Sequence, residues 1–344
     1  MKKNRFLRTL LGFLIAALFI FLAFRGISFG SLLKDALHAN FLILIIGTFA
    51  GLLSIFVRGL RWRVILQELK PGVSVVDTWG SVMVGYMMNN FVPRLGEVVR
   101  AYTTGKLENT RISGVFGTIV LERLFDMLSA GILFGIALAI YGGNIVGTFP
   151  ILRLAGVLLI AGSIMVGVIL YVAATVKTAN DLLMRVIGFA VPKRFSQKIE
   201  EVVNSFLSSF SLLHSPNGLL RVAIYTALVW IVYIFQIYIP FFAFRSTSVL
   251  TFYDSFILGM IATMAWVIPS PGALGVYHLF VSQTLTRLFG IAPDEALAYA
   301  TLTHLLGYIA ITIVGAIFAF IFTQRLKILS VGKLLEVEEE KSQP

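Results

Sequence analysis

Two short clusters of charged residues, and a Tyr-His pair behind a run of Pro and Gly, sit inside otherwise apolar sequence. The first cluster, Arg94, Glu97 and Arg100, belongs to Asn90-Phe91-Val92-Pro93-Arg94-Leu95-Gly96-Glu97-Val98-Val99-Arg100. A guanidinium is a planar fork that donates two parallel hydrogen bonds to a phosphate and stays charged when partly desolvated. Arg94 and Arg100 therefore suit an anionic head group, with Glu97 pairing and orienting one of them. The plainer alternative is a set of interfacial charges snorkelling from a helix end.

The second cluster is Glu122, Arg123 and Asp126. Glu122 and Asp126, at i and i+4, share one helical face, and Arg123 reaches Asp126 at i+3. At mid-membrane each charge costs at least about 2.5–3.5 kcal/mol on insertion scales, so the three need partners or water. Either they clip their helix to the preceding segment, for example through Glu122 to Arg94 or Arg100, or they handle substrate or protons. Tyr277 and His278 follow Pro269, Pro271, Gly272 and Gly275, where a histidine is either a hydrogen-bonded structural group or a titrating one. His304, beside Thr301 and Thr303, reads as an interhelical hydrogen-bond partner. Trp79, Trp266 and Tyr308 read as interfacial or packing aromatics.

The elements that must position these groups are membrane helices. Of the 344 residues 58% are hydrophobic and only 13% charged, against roughly 25% charged in soluble domains. Apolar runs near the roughly 17–25 residues needed to cross hydrocarbon recur along almost the whole chain, giving a single membrane domain over 1–328 and a polar acidic tail over 329–344. The net charge of +11 is gathered beside apolar runs, which points to anionic lipid and the bilayer rather than nucleic acid. With no cysteine and four scattered histidines, disulfides, thiol catalysis and a metal cluster are not expected. No P-loop, dinucleotide fingerprint, GxSxG or zinc motif occurs, so neither a cofactor nor ATP-driven pumping by this chain is expected.

The segments Asn90 to Arg100 and Ile268 to His278 read as versions of one another. Each places Pro and then a Leu-Gly step in an apolar run. Broken helices at membrane depth are tolerated only around a protein-lined or wet cavity, and paired breaks in two halves point to a transporter's binding site.

The positive-inside rule sets the topology. Leu10 to Phe24 crosses outward behind Lys2, Lys3, Arg5 and Arg8, and Phe41 to Val57 returns to a positive loop of Arg58, Arg61, Arg63 and Lys70. Val75 to Val92 must turn near Pro93 and come back, because crossing would put Arg94, Arg100, Lys106 and Arg111 outside. Ile112 to Tyr141 and Leu152 to Val176 then cross, the basic stretch from Lys177 to Arg221 is cytoplasmic, and Leu219 to Phe244 crosses out again. Phe252 to Phe289 forms a second hairpin and Ala298 to Phe322 crosses back.

The expected fold is therefore an all-α polytopic membrane protein. It has six full transmembrane helices plus two re-entrant helical hairpins in an inverted repeat, with halves of about 1–145 and 150–328. Phe195, Ile199, Val202, Val203, Phe206, Leu207 and Phe210 predict an amphipathic cytoplasmic helix over about 195–213, on the membrane or on the bundle.

In order, Arg58-Gly-Leu-Arg61-Trp62, Asn90 to Arg100, Glu122-Arg123-Leu-Phe-Asp126 and Pro269-Ser-Pro271-Gly272-Ala-Leu-Gly275 resemble the prokaryotic flippase-like membrane proteins. Those are related to the transmembrane region of lysylphosphatidylglycerol synthetase, also called the multiple peptide resistance factor. The resemblance covers nearly the whole chain and implies a lipid-translocating domain whose hairpin motifs line the route of the head group. The larger relative carries a soluble aminoacyl-transferring domain after its transmembrane part; this chain ends soon after its last span, so synthase activity is not expected. His278 stands where the family leads one to expect an acidic residue.

The leading expectation is a flippase or scramblase for an anionic phospholipid or polyprenyl-phosphate-linked lipid in a prokaryotic inner membrane, with both termini cytoplasmic. A membrane enzyme transferring glycosyl or phosphoryl groups on a lipid-linked substrate, and a non-transporting scaffold, are the alternatives. A homo-oligomer or a separately encoded lipid-modifying enzyme would be compatible partners. Head-group binding is expected to centre on the first hairpin and gating on the second.

Overall fold

The computed structural model describes residues 2–141, 147, 151–176, 193–265, 268 and 270–342, and among these every regular element is helical. Pro269, Trp266, Lys177 and Arg185 lie outside the described residues. Among the described residues four helices are long and apolar enough to cross a membrane: α3 (Phe41–Gln67), α6 (Ile112–Ile140), Pro216–Ala243 and the Pro293–Lys327 part of the last helix. The expected first span, Leu10 to Phe24, lies within one helix, and the chain bends just after it. α1 (Lys2–Phe24) bends by 87° into α2 (Phe29–His38), and this pair makes a fifth candidate. Gly26, at φ +80°, turns the chain between them, and Ser28 caps α2 by accepting from the Ser31 N–H, as a helix start requires.

Both Pro/Gly segments break their helices. α4 (Val75–Phe91) ends at Val92, whose extended backbone is what a following proline imposes. Arg94 then turns the chain at φ +63°, and α5 (Leu95–Leu107) runs back along α4. The return is close because both sides are glycine: a Cβ on Gly96 would stand 2.0 Å from the Gly85 carbonyl oxygen. Asn89 closes the turn by accepting from the Gly96 N–H at 2.7 Å, satisfying one of the free donors at the start of α5.

α7 (Ile151–Thr175) lies against α6, where Gly131 receives Ile160. α8 (Lys193–Leu207), the expected amphipathic helix, and the 3-10 turn Ser208–His214 rest on the bundle: Ser205 meets Gly114 of α6, and Phe206 and Ser209 meet Gly117. α9 (Pro216–Tyr238) begins with Ser215 as cap and Pro216 in the first turn. It lies along α3, where Gly47 and Gly51 admit Pro240 and Gln236, the small-xxx-small packing of membrane helices.

α10 (Phe252–Met264) opens with a Thr251/Asp254 capping box. The chain then breaks through Pro271–Ala273 before α11 (Val276–Phe289), with Gly272, Ala273 and Gly275 all at positive φ. Gly275 packs directly on α1, against the Ala16 carbonyl and the Ile20 N–H. The last helix, α12 (Pro293–Ser342), crosses the bundle and keeps its helical backbone through the acidic segment rather than ending in a non-helical tail.

Candidate functional site

Arginines from three helices converge on the carboxylates of α6. Arg61 of α3 donates to Glu122 at 3.0 Å, to Asp126 at 2.6 Å and to Thr226 at 3.3 Å. Arg100 of α5 meets the other Glu122 oxygen at 2.6 Å. Arg58 pairs with Asp126 at 2.5 Å, and Arg123 pairs with Asp126 at 3.1 Å and Glu97 at 3.6 Å. Arg61 and Glu122 are wholly buried, and the Arg100 guanidinium stacks 3.6 Å over the Trp62 ring, whose Nε1 donates to Thr118. Stacking on Trp stabilises a desolvated cation by ~2 kcal/mol or more.

The network holds four arginines against three carboxylates, Glu97, Glu122 and Asp126. It therefore carries one uncompensated positive charge.

Of the two partners expected for Glu122, Arg100 is the one that holds it, and Arg61 joins it. Elsewhere expectation and structure differ: Arg94 takes no part in the network and is exposed at the hairpin tip with no ion pair among the described residues. Glu97 pairs with Arg123 rather than with either arginine of its own segment. Arg100 is buried, paired with Glu122 and stacked on Trp62. Arg58 and Arg61 are not loop residues, because α3 continues to Gln67 and their side chains meet carboxylates on α6. The signal available was their i, i+3 spacing, which puts both on one face.

The second break lies against the end of α4. A Cβ on Gly272 would stand 3.1 Å from Asn90 Oδ1. α12 fastens both breaks: Tyr308 donates to the Asn90 carbonyl at 2.9 Å, Asn90 donates to Thr312 at 3.0 Å, and His304 Nε2 meets the Gly272 carbonyl at 2.9 Å. A carbonyl only accepts, so His304 carries its hydrogen on Nε2. His304 is thus the interhelical partner the sequence suggested, while Tyr308 is more than a packing aromatic. Tyr277 stacks on His304 at 4.9 Å between ring centroids; His278 is buried edge-on to His304 at the same separation, its Nδ1 without a partner among the described residues. Pro271 and Gly272 are buried in the same joint.

A cavity of about 230 Å³ opens beside the charged network, between α6 and α7. Its walls include Phe116, Ile119, Val120, Leu124, Met127 and Val166 and are almost wholly apolar, with Glu97 and Arg123 at its edge. Among the described residues no group of three or more His, Asp and Glu side chains is placed to hold a metal ion.

Residues 9–315 match the family described as the lysylphosphatidylglycerol synthase TM region. A UPF0104 membrane protein of Methanothermobacter thermautotrophicus is 29% identical over 276 residues, covering 74% of this chain and 78% of its own length. A UPF0104 membrane protein of Methanocaldococcus jannaschii is 23% identical over 95% of this chain and 98% of its own. A protein named glycosyltransferase AglD, from Haloferax volcanii, is 24% identical over 76% of this chain but only 45% of its own length. No solved structure matches.

Proposed function

The chain belongs to the lysylphosphatidylglycerol synthase TM-region family, and from that premise we propose that it carries an anionic phospholipid or polyprenyl-phosphate-linked lipid between bilayer leaflets. The observation that supports this reading best is the cationic excess of the Arg58, Arg61, Arg100 and Arg123 network beside a broken helix. A phosphate head group costs too much in hydrocarbon to cross unaided. An arginine-rich cleft compensates that cost with charge-assisted hydrogen bonds.

Arg94 receives the head group first. It stands exposed at the tip of the turn, in a left-handed backbone that disfavours a side chain by about 1–2 kcal/mol. In this reading the two broken hairpins are re-entrant from opposite faces of a cytoplasmic membrane and complete six spans in an inverted repeat. One half moves against the other at the Asn90–Gly272 joint.

A second reading, transfer chemistry on a lipid-linked sugar, is favoured only by the relative named glycosyltransferase AglD. Against it, Glu122 and Asp126 are each held by at least two arginines, which leaves both occupied instead of free as base or nucleophile. The two readings separate on purified protein in liposomes containing fluorescent phosphatidylglycerol and a polyprenyl phosphate. Translocation predicts faster exchange of a probe that is recovered chemically unchanged. Lipid turnover without faster exchange would overturn it in favour of the enzyme.

A further inference from the structure

We propose that the cavity between α6 and α7 takes one acyl chain of an anionic phospholipid, with the lipid phosphate meeting Arg123 at the charged end. This rests on the reading of the chain as a lipid translocator and assigns the place of the substrate's tail within it.

α7 is a peripheral helix that turns Leu154, Leu158, Met165 and Ile169, each more than half exposed, away from the protein. Bilayer lipid is therefore what lies against it. Its seam with α6 is tight where Gly131 receives Ile160, and toward the cavity Gly162 of α7 has nothing within 4 Å of a built Cβ. A chain can therefore slide in from the side without an unsatisfied backbone group being exposed to hydrocarbon.

Entry into the cavity gains little by itself, because lipid tails are as apolar as the leucine and valine of the wall. Selection must come from the head group. Arg123 has its Nε buried without an acceptor among the described residues, and its contact with Glu97 is long at 3.6 Å. Glu97 lies 3.5 Å from Asn89, its alternative partner. An incoming phosphate can thus take the Nε and one terminal nitrogen of Arg123 as a bidentate pair while Asn89 retains the displaced carboxylate.

The test is photocrosslinking with p-benzoylphenylalanine in place of Phe116 in the cavity or, separately, of Leu158 on the outer side of α7. The full chain is reconstituted in phosphatidylcholine vesicles holding phosphatidylglycerol as the minor lipid, and adducts are read by mass spectrometry. The Leu158 adducts should follow the bulk composition. The Phe116 adducts should be enriched in phosphatidylglycerol by up to about tenfold, the yield of one charge-assisted hydrogen bond, and Arg123→Gln should remove that enrichment. Adducts at Phe116 of bulk composition, or none while Leu158 reacts, would overturn the assignment. The readout needs no transport, so an empty cavity and a protein that does not translocate lipid are told apart.

Discussion

Glu122 is held from two sides by buried arginines. It lies wholly buried between Arg61 and Arg100, and removing one partner of a buried ion pair costs about 3–5 kcal/mol because the other charges stay behind uncompensated. Glu122→Gln should therefore lower the thermal unfolding midpoint in detergent sharply, and combining it with Arg100→Gln should cost less than the sum of the two. Additive losses would show that Glu122 and Arg100 do not act as a pair. The carboxylates of this network were legible in the sequence: an i, i+4 acid pair in an apolar run has to have partners. Their partners Arg58 and Arg61 were not, because arginines that close an apolar run satisfy the charge rule for a loop equally well. Only the continuation of α3 to Gln67 turns them inward.

At the scale of elements, the first hairpin depends on glycine in a way that side-chain chemistry does not. Gly96 and Gly85 bring two backbones into contact, and a methyl on Gly96 would sit 2.0 Å from a carbonyl oxygen, inside any allowed contact. Gly96→Ala should open the α4–α5 turn and reduce the yield of folded protein and its melting temperature, with the cost of overpacking at ~1–3 kcal/mol or more. Gly135→Ala, where a built Cβ meets nothing, should leave both unchanged or slightly improved. Equal melting temperatures for the two variants would contradict the close approach.

The helix breaks themselves were readable from Pro93, Pro271, Gly272 and Gly275, since proline lacks a donor and glycine tolerates positive φ. The bend of α1 into α2 was not read, although Arg25-Gly26-Ile27-Ser28 interrupts the apolar run there. Nor was the joint of Asn90 with Gly272, whose contact is made only when Tyr308 and Thr312 of α12 draw both breaks together.

For the whole molecule, the apolar composition identified a membrane protein, and family membership agrees with that. The number of spans is harder to read from hydropathy, since a hairpin and a crossing helix look alike until charge is counted on both sides. The proposed topology places Lys70 inside and Ser248 outside. Single cysteines at these positions, introduced into a chain that has none, should react with an impermeant maleimide from opposite faces of oriented vesicles. Labelling from the same face would refute the alternating order of spans.

The central claim, that this chain moves anionic lipid along its arginines, meets its most direct test in the rate of leaflet exchange of fluorescent phosphatidylglycerol in liposomes. Folded wild-type protein should accelerate exchange over empty vesicles. Arg94→Ala, at an exposed position with no ion pair to break, should keep the melting temperature and slow exchange by about tenfold, the value of one charge-assisted contact. Exchange no faster than in empty vesicles, or identical in wild type and variant, would contradict it.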